Sequence, residues 1–274
     1  MTKNNIIDKI LLLFTWTSAA LVFTTLIFII AYILVGGLPH FSLSLFEMTY
    51  NSQNVSMMPS IISTVLIVLL TLAIALPLGM FTGIYLIEYT KRGNKLVGLV
   101  RRTAELLASI PSIVYGLFGL LFFVEFLGFG FSIIAGSLTL AIMILPLIIR
   151  TTEEALKSVS DGLREGAFAL GSGKLRAVFK IVLPSAMPGI LAGIILAIGR
   201  IVGESAALIF TAGTVAQIPM GFEYSTRTLA VHMWALSGEA FHVDAAYATA
   251  VTLLAIVVII NTISAIIAKR LSKI

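Results

Sequence analysis

The chain has 274 residues, 59% of them apolar and only 11% charged, with a mean hydropathy of +1.07. An ordinary soluble domain carries about a quarter charged residues, so this composition excludes one and specifies a polytopic membrane protein. There is no cysteine, which removes disulfides and thiolate metal sites, and the net charge of +5 acquires meaning only from its location.

Apolar runs of about 20 residues cross a ~30 Å hydrocarbon core as helices. Six are expected: Ile10 to Val35, Ser60 to Ile87, Leu106 to Leu127, Ile133 to Ile149, Pro188 to Phe210 and Ala245 to Ala268. Both termini then face the same side. The first run follows Lys3 and Lys9 but is too long for a signal peptide and lacks a small-residue cleavage site after it, so it reads as an uncleaved helix. Residues 1–59 comprise this helix and an outer loop without Lys or Arg, and residues 60–274 hold five further helices.

Sixteen of the 18 Lys and Arg residues fall on the termini and on the loops after the second and fourth runs, Arg92 and Lys273 among them. Arg227 alone lies on the opposite loops, and Arg200 lies within a run. By the positive-inside rule the termini and the fourth-to-fifth loop are cytoplasmic, in a cell-membrane protein. The basic charge is topological and implies no nucleic acid.

Pro77, Gly79 and Gly83 in the second run, and Pro111, Gly116 and Gly119 in the third, read as helix-packing positions. The pairs Gly189 and Gly193, then Gly199 and Gly203, give the fifth run a small-residue stripe expected in a tightly packed central helix at a subunit interface. In the outer loop from Thr211 to Asp244, the apolar piece Leu229 to Leu236 is too short to span and reads as interfacial or re-entrant. His40, His232 and His242 show no metal-ligand spacing and are expected at the surface or membrane interface. Glu125 is likewise expected at the interface.

Two features carry function. Arg200 and Glu204, four residues apart, are expected on one face of the fifth helix. A charge at membrane depth is costly and lines an aqueous cavity or pairs. Either Arg200 offers its planar donor fork to an oxyanion while Glu204 balances it, or the two form an ion pair that fixes helix orientation. The other feature is the charged loop of about 150–184, in which Glu165, Gly166, Ala167 and Gly171 are followed by Ile181, Leu183 and Pro184. Small residues permit close approach to another protein, and Pro184 is expected to end the element.

This spacing resembles the cytoplasmic coupling motif of ABC-importer permeases, Glu-Ala-Ala, three residues, Gly, nine residues, Ile-x-Leu-Pro, with Gly166 in place of the middle Ala. More particular stretches, GIYLIEY from Gly83, SIPSIVYGLFGLLFF from Ser109 and GRIVGESAALIFTAG from Gly199, resemble phosphate-specific permeases of the PstA type. The likeness runs from about residue 60 to the end; Ser205 stands where Thr is common. It implies an all-α, six-helix, type I (MetI-like) permease core with a cytoplasmic coupling helix. It further implies a heterodimer with a second permease of the PstC type, two ATP-binding subunits of the PstB type and an outer phosphate-binding protein of the PstS type.

The only Gly-Lys pair, Gly173-Lys174, is followed by Leu175, and Phe168 stands where a P-loop needs its first glycine. ATP with its magnesium is therefore expected on partner subunits, and the chain is not itself an enzyme. Other readings are a permease for molybdate, sulfate or phosphonate, a secondary transporter or channel, and a membrane-embedded enzyme, for which no convergent His, Ser or carboxylate set is present.

Overall fold

The computed structural model describes residues 3–91, 93–239 and 242–271, and every regular element among them is helical. Arg92 and Lys273, counted above in the basic loops, lie outside the described residues. Helix α1 (Lys3–Gly37) leads through two short 3-10 turns to α2 (Met58–Ile84), which continues as a π turn over Tyr85–Tyr89. Then come α3 (Lys95–Ala108), α4 (Ser112–Gly119) with a π turn over Leu120–Phe126, and α5 (Ile133–Ser158). Helix α6 (Asp161–Ala169) precedes α7 (Lys174–Ala177), a π turn over Val178–Val182 and α8 (Leu183–Val202). Short α9 (Ala206–Ile209), α10 (Leu229–Gly238) and long α11 (Val243–Leu271) complete the chain.

Five helices among the described residues are long and apolar enough to cross a membrane. The third expected span is the exception. Instead of running from Leu106 to Leu127 it bends by 99° between α3 and α4. Pro111 is the cause: it disfavours helix at Ile110 and offers no N–H to continue the ladder. The bend is pinned by the Tyr115 hydroxyl, which donates to the Leu107 carbonyl at 2.8 Å.

The fifth span also differs from expectation. It is one rod from Lys174 to Val202 rather than a segment from Pro188 to Phe210. Its first turns are polar, which hid them from a hydropathy reading. Pro184 does not end the coupling element; it sits in the first turn of α8, directly after the π turn. A widened i→i+5 turn accommodates a residue without an N–H. The fourth span continues past Ile149 to Ser158, so the polar loop is shorter than 150–184 suggests.

The core is a close-packed layer of α2, α5 and α8. Helices α2 and α5 run parallel, with Gly79 against Ile148 and Gly83 against Thr152, and α8 runs antiparallel, with Gly189 against Ala155 and Gly193 against Thr151. A Cβ on Gly79 would sit 2.6 Å from Ile148 Cγ2. The glycines therefore set interhelical distance, and interiors this dense resist added volume. Gly116 and Gly119 press α4 onto Ala207, Thr139 and Thr211 in the same way. A Cβ added at Gly199 would meet nothing within 4 Å, and one at Gly203 only the Gly199 carbonyl, so among the described residues the second glycine pair makes no close interhelical contact.

Gly79→Val is expected to lower stability by about 1–3 kcal/mol through overpacking. Gly98→Ala, where an added Cβ meets nothing within 4 Å, is expected to be neutral or stabilising. Melting curves of the two variants in detergent check this contrast.

Helix α1 stands apart from this layer. It rests on α11, where Tyr32 and Tyr247 hydroxyls lie 3.1 Å apart and Gly37 meets the Tyr247 backbone. At the far end of the bundle the segment 211–228 closes the start of α5. The Thr211, Tyr224 and Phe222 carbonyls accept from the amides of Ser132, Ile133 and Ile134, and the Ser132 side chain accepts from Ala135. These are the donors a helix start leaves unpaired.

Candidate functional site

At the basic end of the bundle, α5 turns into α6 through a corner built on one arginine. Arg164 donates from Nε (3.1 Å) and Nη2 (2.8 Å) to Glu88 Oε1, in the π turn that ends α2. Its Nη1 and Nη2 also donate, both at 2.8 Å, to the Val159 and Leu156 carbonyls at the end of α5, the second of which also accepts from the Val159 amide at 3.4 Å. Both side chains are largely buried, at 15% and 8% exposure. Asp161 adds an exposed contact at 3.2 Å. The end of α2, the end of α5 and the start of α6 are thus tied through a single guanidinium.

Helix α6 is capped at both ends. Ser160 accepts from the Gly162 amide, and Gly171 adopts φ +78. Ser172 N–H bonds to the Ala167 carbonyl and Gly171 N–H to the Phe168 carbonyl, the paired bonds of a Schellman stop. Gly171 is therefore required for backbone conformation rather than for close approach, and it performs the stop assigned to Pro184 on sequence. Of the remaining motif residues, Glu165 and Gly166 are exposed, Ala167 is buried, Ile181 and Leu183 are half-buried and Pro184 is exposed. The outer face of this corner carries Leu163, Phe168, Leu170 and Leu175, all exposed.

The left-handed conformation makes a graded prediction. A β-branched residue at 171 costs about 1–2 kcal/mol or more, whereas Asn tolerates the region. Gly171→Val is expected to reduce ATP hydrolysis by the assembled transporter on the order of tenfold, with Gly171→Asn near the unmodified level. Equal loss in both variants would contradict a conformational role.

Arg200 and Glu204 are not brought together. Helix α8 ends at Val202 with Gly203 as its cap, so the shared helical face does not exist. Glu204 Oε1 accepts from the Ala207 amide at 3.1 Å and caps α9 instead. Arg200 makes no ion pair among the described residues. It lines a cleft of about 290 Å³ between α3 and α5, together with Arg101, Glu105, Arg150, Glu153 and Lys157. Within that cleft Glu153, almost fully buried, is shared by Arg101 at 2.9 Å and Lys157 at 3.3 Å. The cleft gives a half-buried free guanidinium a polar connection to the basic end.

At the far end, two polar residues are buried, and for His232 this departs from the expected surface or interfacial place. Arg227 is only 6% exposed, with its guanidinium 4.6 Å from the centre of the Tyr50 ring. His232 is fully buried, donates from Nε2 to the Val55 carbonyl at 3.2 Å and is not a surface residue. Burial first, then the Arg227 charge, lowers its pKa to about 3. Between that value and the ordinary 6.5 the unfolded chain binds a proton that the folded chain refuses. Stability is expected to be full above pH 6.5 and to fall as pH drops toward 3, with a shallower loss in His232→Gln; melts at pH 7 and 4.5 measure it. Sequence offered no signal for either burial, because both depend on how segment 211–228 returns to α2.

Residues 75–273 match the model of the binding-protein-dependent transport system inner membrane components. The chain belongs to this family. It is a multi-pass membrane permease component and not a catalytic subunit. A probable ABC transporter permease protein, YqgI of Bacillus subtilis (strain 168), is 36% identical over 243 residues, covering 83% of this chain and 82% of that one. The phosphate transport system permease protein PstA of Yersinia pestis is 42% identical over 189 residues, and PstA 1 of Mycobacterium tuberculosis (strain H37Rv) 43% over 141. Those matches cover 68% and 51% of this chain but only 63% and 45% of the relatives' lengths.

Among solved structures, a bacterial alginate ABC transporter in complex with a pentasaccharide-bound periplasmic protein superposes with TM-score 0.68 at 14% identity, covering 94% of this chain and 96% of that one. The inward-facing MetNI methionine ABC transporter gives 0.60 at 20% identity, covering 78% and 94%. At these identities the likeness shows the fold, a type I importer permease core, and not a substrate.

Proposed function

We propose that the chain is the permease subunit of an ATP-driven importer that carries inorganic phosphate across the cytoplasmic membrane. The observation that carries this reading is the free guanidinium of Arg200, at the head of a polar cleft in a chain 42% identical to a permease named for phosphate transport. A planar fork of donors suits a tetrahedral oxyanion, and Arg200 forms an ion pair with none of the carboxylates that line the cleft.

In this reading the basic end is cytoplasmic, with both termini, as the positive-inside rule requires. The exposed face around Glu165, Gly166, Phe168 and Leu170 docks into one of two ATPase subunits, which bind the ATP and magnesium. A second, similar permease completes the pathway and a phosphate-binding protein delivers substrate from outside. Closure of the ATPase dimer moves α6; through Arg164 that motion reaches α2 and α5 together, and hydrolysis returns the pair. The drive is a nucleotide-dependent shift between two arrangements.

The test is ATP hydrolysis by the reconstituted complex with its binding protein, with phosphate, sulfate, molybdate and phosphonate added in turn. Stimulation by phosphate alone is expected. Stimulation by another oxyanion would retain the architecture and replace the substrate. Phosphate flux through the chain alone, in liposomes without ATPase subunits, would instead favour a secondary transporter or channel.

A further inference from the structure

A second cleft at the basic end adjoins the one that Arg200 lines and shares Arg101 and Lys157 with it. Its volume is about 950 Å³, and it lies between the π turn that ends α2, the first turns of α3 and the α5–α6 corner. Six cations line it: Lys91, Lys95, Arg101, Arg102, Lys157 and Arg164. Three are already neutralised. Arg164 is held by Glu88 and Asp161, and Arg101 and Lys157 share Glu153. Lys91, Lys95 and Arg102 are exposed and make no ion pair among the described residues. The carboxylates on the wall, Glu88 and Asp161, are both engaged with Arg164, so the cleft retains an uncompensated positive field.

Its floor is apolar, formed by Leu86, Ile87 and Val97. The rim continues into side chains that are exposed in the bundle, with Tyr89 at 41% and Leu99 at 61%. Cationic walls over an apolar floor, where a membrane span ends, match a molecule that is anionic at one end and apolar at the other. The volume is far larger than one phosphate ion needs and lies within the ~300–1,000 Å³ range of small-molecule sites.

We infer that this cleft binds a phosphate-bearing anion on Lys91, Lys95 and Arg102, the headgroup of an anionic phospholipid or free phosphate. Charge-assisted hydrogen bonds to phosphate oxygens supply the contacts, and each basic residue near an anionic leaflet contributes attraction. Bound there, the anion ties α3 to the corner that carries α6. The inference does not depend on phosphate being the transported substrate.

The experiment measures retention of phosphatidylglycerol by the purified full-length chain in phosphatidylcholine nanodiscs doped with it, using native mass spectrometry. Lys91→Gln, Lys95→Gln and Arg102→Gln together are expected to reduce retention on the order of 100-fold. The matched triple Lys9→Gln, Arg176→Gln and Lys180→Gln, which removes equal charge from exposed positions elsewhere, is expected to leave it unchanged. Millimolar inorganic phosphate distinguishes the sources. Retention that survives phosphate assigns the site to lipid, whereas displacement with equal sensitivity to the first triple assigns it to free phosphate. Equal loss in both triples, or no loss in either, would overturn the inference.

Discussion

Arg164→Ala is expected to uncouple the transporter: ligand-stimulated ATP hydrolysis in the assembled complex falls to the unstimulated level, while the chain still inserts into the membrane. The reason is geometric as well as energetic. Removing Arg164 leaves Glu88 buried without a partner, the Val159 carbonyl without its side-chain donor and the Leu156 carbonyl with only the Val159 amide at 3.4 Å. Breaking a buried pair in this way costs roughly 3–5 kcal/mol. Glu88→Ala should produce the same loss, because it cuts the same tie from the other side. The double variant should be no worse than either single one, since residues of one network do not add. Additive losses, or normal stimulation in Arg164→Ala, would show that α6 communicates with the bundle by another route.

Arg200→Ala is expected to lower substrate uptake by two orders of magnitude or more while leaving assembly with the ATPase subunits intact. Arg200 has no intramolecular partner to orphan, so its loss should not disturb the fold, and any deficit belongs to the pathway. Arg200→Lys separates charge from shape: retention of charge without the bidentate fork is expected to recover only part of the activity. Uptake assays on reconstituted vesicles give both values, and co-purification of the ATPase subunits reports assembly. Normal uptake in Arg200→Ala would remove the guanidinium from the transport mechanism.

The spans were legible because hydropathy over some 20 residues is a local property and lipid imposes it directly. Their interruptions were not. SIPS at Ser109 to Ser112 contains the bend, yet the apolar residues on both sides let a sliding reading bridge it. Lys174, Arg176 and Lys180 concealed the first turns of the fifth span for the opposite reason, since polar residues there look like loop. The expectation of a shared face for Arg200 and Glu204 required helix across Gly203, and the helix stops there.

The coupling motif was visible by spacing, but two of its residues exchanged roles. Gly171 supplies the stop through its left-handed backbone, and Pro184 is absorbed within a continuous rod. The partner that anchors this corner, Glu88, lies 76 residues before Arg164. No periodicity connects positions so far apart, and only the parallel packing of α2 beside α5 brings them together. The same holds for His232 and Val55, which meet through a chain reversal that local propensity does not encode.

The bend at Pro111 has a consequence for the bilayer itself. The upright part of the third span, Ser112 to Phe126, rises about 22 Å, short of the ~30 Å that hydrocarbon occupies. Below it lies α3, tilted across the bundle and presenting Arg101, Arg102 and Glu105, side chains that acyl tails do not solvate. Acyl chains gain nothing by covering that face, which favours water over lipid. Arg200 lines the cleft beside α3, a position from which hydration reaching in from the basic end would spare its charge the full cost of a dry membrane interior.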